Sequence, residues 1–287
     1  MWIGIWGSNC VGSKCEGRKN RDRTTSATLS GRCECLYRTP PGSNFVTWDP
    51  DLYGAFRAPR IRPALDLLAR IDLEAPVSVF DLGCGPGEVT REIARRWPGA
   101  RVTGLDRSPD MLARARDATG VIDWVEGDIT KFETAGAGLI FSNAAFNWVP
   151  GHDTLFPRLA GMLAPGGILA VQMPRNFAEP SHTSIAESVR AGPWRTRLEA
   201  MLLPPPVAAM ADYYDWLSPL TDGIEVWETV YLHRLEGENP VVSWFRATAL
   251  RPFVEALGGC ERDDFLEDYA ARVAKAYPAR ADGITLL

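Results

Sequence analysis

The chain has 287 residues, of which 46% are hydrophobic, and it carries a formal net charge of −5. That length is sufficient for one domain with a full buried core and elaborations, and the negative charge excludes the basic footprint typical of nucleic-acid-binding proteins. No apolar stretch of the sequence approaches the roughly 20 residues needed to span a bilayer, so we expect no membrane partner.

Residues 1–44 differ in composition from the rest of the chain. They hold seven Lys or Arg against three Asp or Glu, and they show no helical or strand periodicity. We therefore expect a disordered or artefactual extension that contributes nothing to the fold, with the globular domain spanning 45–287. A transit peptide is the alternative interpretation. No metal site is expected, because the spacing of the cysteines departs from the usual zinc patterns; they are Cys10, Cys15, Cys33 and Cys35.

The stretch 77–87 predicts a nucleotide-cofactor turn. Its apolar first half is typical of a strand covered on both faces, and it runs into three glycines, Gly83, Gly85 and Gly87, which permit close approach of a ligand to the backbone. The third glycine comes one position too early for the dinucleotide fingerprint. The carboxylate of Asp81 would repel a pyrophosphate but can accept from a cationic amine. An ordinary strand–helix turn is the alternative.

Strands and helices alternate after this turn, which predicts a parallel sheet with helices on both faces. Further strands are expected at 101–106, 122–129, 138–143 and 168–173. Helices are expected at 60–71, 88–97 and near 153–163. Three of the strands end at or near an acid, namely Asp81, Asp106 and Asp128. Because the carboxyl ends of parallel strands form the ligand-binding edge of an open sheet, these acids predict one site, with Asp106 on a ribose.

The last third of the chain predicts a cap and a sixth strand. Residues 174–222 contain Pro204-Pro205-Pro206 and no strand pattern, so we expect helices and loops lying over the carboxyl edge as a substrate cap. A solvent-facing insertion is the alternative. Period-two alternation predicts the sixth strand at 224–231, followed by helices opening at 239–240 and 263–264. The isolated Cys84 and Cys260 suit a reducing cytoplasm, and Cys84 is expected to be a small buried filler.

The motifs D-L-G-C-G-P-G, L-D-R-S-P-x-M, E-G-D-I and S-N-A-A-F-N-W-V resemble the successive motifs of class I S-adenosylmethionine-dependent methyltransferases. The later motifs V-Q-M-P, E-P-x-H and A-T-x-L-R-P resemble more narrowly the trans-aconitate 2-methyltransferases, and the likeness covers about 45–287. The resemblance implies a Rossmann-like α/β sheet and S-adenosylmethionine as cofactor. The cofactor-binding residues that it implies are Asp81, Gly83, Gly85, Gly87, Asp106, Arg107, Met111, Asp128, Ile129 and Asn143.

The same resemblance implies methylation of a carboxylate on trans-aconitate or a similar small polycarboxylate. A carboxylate is already ionised at neutral pH, so no catalytic acid or base is assigned. The anion should instead be held by arginine, whose planar fork matches a carboxylate. The substrate-binding residues that we expect are Trp48, Tyr53, Arg57, His182, Tyr214, Trp244 and Arg251. We expect a cytoplasmic monomer.

Two other functions remain open. Asn147 stands where related enzymes often have His or Gln, so the chain could methylate a hydroxyl or carbon of another small molecule. The family pattern also expects a final antiparallel strand after the sixth, and the sequence ends at Leu287 without a candidate for it. The fold is therefore expected to lack that strand and to expose a sheet edge, which leaves open a cofactor-binding protein without turnover.

Overall fold

The computed structural model describes residues 1–6, 57–116 and 121–287, and its centre is a seven-stranded sheet. The strands of this sheet are β1 (Trp2–Trp6), β2 (Ser78–Leu82), β3 (Arg101–Asp106), β4 (Asp123–Glu126), β5 (Ala137–Asn143), β6 (Leu163–Gln172) and β7 (Gly223–Trp227). Their order is β4-β3-β2-β5-β6-β1-β7. A separate two-stranded sheet pairs β8 (Arg234–Leu235) with β9 (Thr285–Leu286).

Ten α-helices lie within the described residues. They are α1 (Arg57–Arg70), α2 (Glu88–Arg96), α3 (Pro109–Arg116), α4 (His152–Ala160), α5 (Pro180–Ala191), α6 (Arg195–Leu198), α7 (Met210–Leu217), α8 (Pro240–Arg246), α9 (Arg251–Ala256) and α10 (Gly259–Ala276). Among those residues, no helix is both long enough and apolar enough to cross a bilayer.

The prediction of a parallel sheet covered on both faces is confirmed. Strands β2, β3, β4, β5 and β6 pair in parallel. In β5 the neighbours Leu139 and Ile140 are both fully buried, and they belong to hydrophobic clusters on opposite faces of the sheet. This explains why the strand has an uninterrupted apolar sequence, since both of its faces are covered by helices.

Several predicted boundaries differ from the structure. The strand 101–106 is confirmed. Strand β6 begins at Leu163, ahead of the predicted start at 168. The Pro-Gly-Gly stretch is included in this strand through a shift of register against β5, between Ala137 and Leu139. Strand β7 ends at Trp227, before the predicted end at residue 231. The long helix α10 begins at Gly259, ahead of the predicted start at 263–264.

The expectation that residues 1–44 contribute nothing to the fold is wrong for the first residues of the chain. Trp2–Trp6 form β1, which pairs antiparallel with both β6 and β7. Ile3 is fully buried and Met1 is 3% exposed, both in the main core. This apolar segment provides hydrogen-bond partners for the backbone groups of β6 and β7. The polar and basic composition of the rest of residues 1–44 hides the apolar character of these first residues. The rest of the predicted extension lies outside the described residues.

The expected exposed edge does not form where a strand was predicted to be missing. Within the described residues after β7, only β8 and β9 are strands, and they pair with each other outside the main sheet. The antiparallel strand of the main sheet is β1, which comes from the other end of the sequence. Because β6 and β7 are both antiparallel to β1, they run in the same direction and both end at the carboxyl edge.

A helical lobe stands on this carboxyl edge. The chain leaves β6 for α5 and leaves β7 for the segment that leads to α8. Helices α5, α6, α8, α9 and α10 share one apolar core, which includes Ile185, Leu198, Phe245, Phe253 and Phe265. The predicted cap 174–222 is therefore divided: α7 packs on the sheet through Tyr213 and Leu217, whereas α5 and α6 join helices from the end of the chain.

Candidate functional site

The glycine turn is fixed to the neighbouring strand by backbone hydrogen bonds. The amides of Gly83 and Cys84 both donate to the carbonyl oxygen of Leu105, at 2.7 and 3.0 Å. Gly83 has a φ of +79°, and a Cβ at this position would lie 2.2 Å from the Cβ of Ala145. Only glycine fits here, because both the backbone angle and the space exclude a side chain.

The far end of the turn is closed by an aromatic ring. Gly87 has a φ of +77°, and a Cβ there would lie 2.3 Å from the Trp124 ring of β4. At Gly85, between these two crowded glycines, a Cβ would meet nothing within 4 Å. The middle of the turn therefore faces open space, and this is the place at which a ligand can approach the backbone.

Asp106 joins the end of β3 to the turn. Its Oδ2 accepts from the Gly85 amide at 2.8 Å, and its Oδ1 accepts from the Ser108 amide at 2.9 Å. A carboxylate offers about four acceptor positions, so further donors such as ribose hydroxyls can still be accommodated. Arg107 is exposed and Met111 is half-buried in the next helix, α3.

Asp81 is the buried acid of the site. It is 2% exposed, and its Oδ2 accepts from the Thr90 hydroxyl at 2.6 Å. Burial raises its pKa to about 7, against the opposing hydrogen bond from Thr90, and the charge of Asp106 adds to the rise. A bound cation would reverse this effect by favouring the carboxylate. Burial also raises the pKa of the Cys84 thiol, which fits a buried filler and leaves no thiolate nucleophile there.

The third predicted acid caps a short turn beside the glycines. Asp128 accepts from the amide and the hydroxyl of Thr130, both at 2.8 Å. Burial opposes ionisation, but these hydrogen bonds outweigh it and lower the pKa of Asp128. The next residue, Ile129, extends its Cδ1 to 3.4 Å from the position of a Cβ on Gly83. An apolar side chain thus borders the turn next to a charged one.

Two amide side chains, one at the end of β5 and one in the loop that follows it, present unsatisfied acceptors. The Oδ1 atoms of Asn143 and Asn147 are buried, and neither has a hydrogen-bond donor among the described residues. Asn147 is 6% exposed. Between them, Ala144 takes a left-handed φ of +52°, and Ala145 lies against the turn at Gly83. Such orphaned acceptors are costly unless a donor arrives, and an ammonium group supplies one.

A buried histidine supports this loop, and the sequence did not single it out as a functional residue. His152 is 3% exposed, with the Phe146 carbonyl oxygen 3.0 Å from Nε2 and the Tyr213 hydroxyl 2.6 Å from Nδ1. A carbonyl can only accept, so Nε2 carries the proton and Nδ1 accepts from Tyr213. Burial lowers the pKa of His152. Its partner Tyr213 comes 61 residues later in the sequence, and no local pattern indicates that contact.

The residues expected to bind substrate are spread over several elements. Trp48 and Tyr53 lie outside the described residues, and Arg57 is the first residue of α1. His182 lies between the rings of Phe177 and Phe245, at centroid distances of 5.3 and 5.0 Å, and burial lowers its pKa to about 4. Trp244 precedes Phe245 on α8.

Two other expected substrate residues lie elsewhere. Tyr214 is 56% exposed on α7, the helix that packs on the sheet. Arg251 begins α9, and its Nε lies 3.0 Å from a carboxylate oxygen of Glu255, one turn along the same helix. The structure thus brings α5 and α8 together through the contact of His182 with Phe245, whereas Tyr214 and Arg251 lie on two other helices, α7 and α9.

Comparison with known proteins identifies relatives over most of the chain. A family profile described as "Methyltransferase domain" matches residues 79–167. A trans-aconitate 2-methyltransferase of Rhodopseudomonas palustris (strain BisB18) is 46% identical over 84% of this chain and 94% of its own length. One from Paracidovorax citrulli is 44% identical over the same shares of the two chains. A solved structure of the plantazolicin methyltransferase BpumL with SAH has a TM-score of 0.43 at 15% identity, over 83% of this chain and 89% of that one, a likeness too low for residue-level comparison.

Proposed function

The chain belongs to the trans-aconitate 2-methyltransferase family, whose members depend on S-adenosylmethionine, and we propose that it methylates a carboxylate of trans-aconitate to give a monomethyl ester. The observation that carries the proposal is the open middle of the glycine turn at Gly85, whose amide donates to Asp106, together with the orphaned oxygens of Asn143 and Asn147, which flank in sequence the Ala145 that lies against Gly83. These acceptors suit the hydroxyl donors of a ribose at one end of the cofactor and an ammonium at the other.

We propose the following roles for the cofactor residues. Asp106 accepts from the ribose hydroxyls, Asp128 and Ile129 border the adenine, and the oxygens of Asn143 and Asn147 accept from the ammonium. Buried Asp81 supplies negative charge beneath the turn. Arg107 and Met111, which follow Asp106 in sequence, remain proposed cofactor contacts at the rim. Bound S-adenosylmethionine supplies an electrophilic methyl group on a positively charged sulfur.

The chemistry required of the protein is mainly orientation. A carboxylate oxygen forms the new bond to the methyl carbon while the carbon–sulfur bond breaks and its electron pair returns to sulfur, so no proton is removed. Holding the carboxylate in line can supply several kcal/mol of the barrier. The environments of two histidines agree with a reaction that needs no general base. Both ring nitrogens of His152 are hydrogen-bonded within the protein. Burial lowers the pKa of His182 to about 4, far from the pKa of an effective base at neutral pH.

For the substrate side we propose a pocket beneath the helical lobe. In this proposal His182 and Trp244 form the centre of the pocket. The other proposed contributors are Trp48, Tyr53, Arg57, Tyr214 and Arg251. We further propose that the protein works as a cytoplasmic monomer without nucleic-acid or membrane partners, in keeping with its net charge of −5. The alternative of a cofactor-binding protein without turnover was based on a missing antiparallel strand. That basis is removed, because β1 is an antiparallel strand between β6 and β7.

A methyl-transfer assay with labelled S-adenosylmethionine tests the proposal. Trans-aconitate, isocitrate and citrate are offered in parallel, and the product is treated with mild alkali, which releases methanol from an ester but not from an ether or a C-methyl group. We expect alkali-labile product with trans-aconitate. At saturating cofactor the rate should be nearly flat between about pH 6 and 8, because carboxylates stay ionised there. Alkali-stable product, or a steep rise of rate through that interval, would favour a hydroxyl or carbon nucleophile.

A further inference from the structure

Helix α4 carries two side chains that hold the loops on either side of the glycine turn. A Cβ on Gly83 would clash with Ala145 of the loop after β5, and it would lie 3.4 Å from Ile129 Cδ1 of the turn after β4. Two separate loops therefore meet the glycine turn at one point. His152 in the first turn of α4 and Arg158 in its last turn each bind one of these loops.

His152 fixes the loop after β5. The Phe146 carbonyl oxygen accepts from His152 Nε2 at 3.0 Å and from the Val149 amide at 2.9 Å, so both of its acceptor positions are used. The Phe146 ring is fully buried and meets the Phe156 ring of α4 edge to face, at a centroid distance of 5.5 Å. Helix α4 thus holds both the backbone and the side chain of the residue that precedes Asn147.

Tyr213 sets the tautomer of His152. Burial lowers the pKa of His152, so the ring is neutral at neutral pH and one of its nitrogens must accept. The Ala208 amide donates to the Tyr213 hydroxyl oxygen at 3.2 Å, and the hydroxyl proton is directed to His152 Nδ1, 2.6 Å away. The ring proton is therefore on Nε2, the nitrogen that faces the Phe146 carbonyl.

Arg158 fixes the short helical turn Ile129–Lys131. Its Nη2 donates to the carbonyl oxygens of the first two residues of that turn, at 3.4 and 2.9 Å. Its Nη1 donates to the Phe132 carbonyl oxygen at 2.6 Å and to Glu133 at 2.7 Å. The Glu133 side chain is 73% exposed, so this ion pair adds little. The three carbonyl contacts define the position of the turn.

The turn is therefore held at both of its ends. Asp128 accepts from the Thr130 amide at the start, where backbone amides lack partners, and the Arg158 guanidinium binds carbonyl oxygens that a short helix leaves without partners. Asp128 and Ile129 are the residues proposed above to border the adenine. Arg158 thus acts on the adenine side of the cofactor site, whereas His152 acts on the side proposed for the ammonium.

The helix that carries both side chains is a rigid base. Leu155, Phe156 and Leu159 pack in the main core. His152 and Arg158 are six residues apart, which separates the two points of attachment by about 9 Å along the helix axis. Because the helix is packed and cannot stretch, the separation of the two loops is fixed as long as both side chains hold them.

We propose that α4 sets the separation of the two ends of the cofactor site, with His152 as the positioning residue of the ammonium side and Arg158 as that of the adenine side. The inference rests on the proposed function for the placement of the cofactor. Neither side chain touches the cofactor. Each lowers the free energy needed to order its loop when the ligand binds, so loss of one support weakens only those ligands that use that loop.

The test is calorimetric binding of two ligands to the full chain. S-adenosylhomocysteine has both ends, whereas 5′-methylthioadenosine has the adenosine but lacks the amino acid. His152→Leu should weaken binding of S-adenosylhomocysteine about tenfold or more, while the affinity for 5′-methylthioadenosine changes less than about twofold. Tyr213→Phe removes only the hydroxyl and should show the same selectivity with a smaller loss. Arg158→Gln should weaken both ligands by the same factor, because both contain the adenine.

Two control variants remove comparable interactions in the helical lobe. Tyr269→Phe removes the hydroxyl of a fully buried tyrosine that donates to the Ser181 carbonyl oxygen at 2.9 Å. Arg195→Gln removes an arginine whose Nε is 2.9 Å from Glu199. Both variants should bind the two ligands as the wild type does. Thermal denaturation of every variant separates loss of stability from loss of selectivity, and Tyr213→Phe decides the ammonium side if His152→Leu does not fold.

Several outcomes would overturn the assignment. Equal loss of both ligands in His152→Leu and Tyr213→Phe, or no loss of either, removes the role on the ammonium side. Unchanged binding in Arg158→Gln, or a loss confined to S-adenosylhomocysteine, removes the role on the adenine side. If the wild type binds the two ligands equally, the ammonium has no site on the loop and the assignment fails even if trans-aconitate is methylated. If the selective losses are found but trans-aconitate is not methylated, the proposed function fails and the role of α4 stands.

Discussion

Replacing Ile3 tests whether β1 is part of the fold, which sequence composition alone did not predict. The side chain is fully buried in the main core, and the strand pairs with β6 through Ile3 and Val171 and with β7 through Ile3 and Val226. Ile3→Ala removes three buried carbons from a site bordered by two strands. Truncation of a buried isoleucine to alanine costs about 2–5 kcal/mol of unfolding free energy.

Full burial of Ile3 places the expected loss in the upper half of that range, because strands on both sides limit the collapse of the cavity. For a domain of this size, 1 kcal/mol corresponds to about 2–4 °C, so Ile3→Ala should lower Tm by about 7–20 °C. Denaturant titration gives the free energy directly, and the slope of the titration checks that unfolding remains cooperative.

Val121→Ala is the control for Ile3→Ala. This side chain is 100% exposed, and its truncation should change the unfolding free energy by less than about 0.5 kcal/mol. If Ile3→Ala is as stable as Val121→Ala, Ile3 is not buried and the strand does not belong to the sheet. Deletion of residues 1–6 would then also leave Tm unchanged, as the composition of 1–44 suggested.

Three further predictions concern the cofactor turn. Asp106→Ala should weaken binding of S-adenosylmethionine by about 1–3 kcal/mol, the scale of hydrogen bonds to a charged group; calorimetry measures it, and tight binding of NAD would contradict the cofactor assignment. Gly83→Ala should abolish cofactor binding, since its Cβ would lie 2.2 Å from Ala145, whereas Gly99→Ala, with nothing within 4 Å, should bind normally. Burial raises the pKa of Asp81 from an ordinary value of 3.8 to about 7 in the folded protein. Between these two pH values the folded state holds a proton that the unfolded state releases. The free energy of unfolding without cofactor should therefore fall as pH rises from about 4 to 7. Asp81→Asn should remove that slope in pH-dependent denaturation, and an unchanged slope would refute the assignment.

The cofactor edge of the sheet could be predicted from local sequence patterns. The glycine turn, the strand that precedes it and the acids Asp81, Asp106 and Asp128 are short local patterns, each set by backbone geometry within a few residues. Parallel strands necessarily bring their carboxyl ends together. The alternation of strands and helices therefore predicts that Asp106 lies close to Gly85, with no long-range contact needed for the prediction. In the structure the Gly85 amide nitrogen is 2.8 Å from Asp106 Oδ2.

Features that depend on partners distant in sequence could not be predicted from local patterns. Strand β1 takes its place from backbone hydrogen bonds to β6 and β7, more than 150 residues away, and five residues carry too weak a pattern to reveal this. The burial of the Asn147 oxygen and the pairing of Arg251 with Glu255 also depend on packing. The local sequence around an arginine does not indicate which groups its guanidinium contacts. The contact of Arg60 with the Trp244 ring could not be predicted for this reason, because it depends on the position of α1 relative to α8.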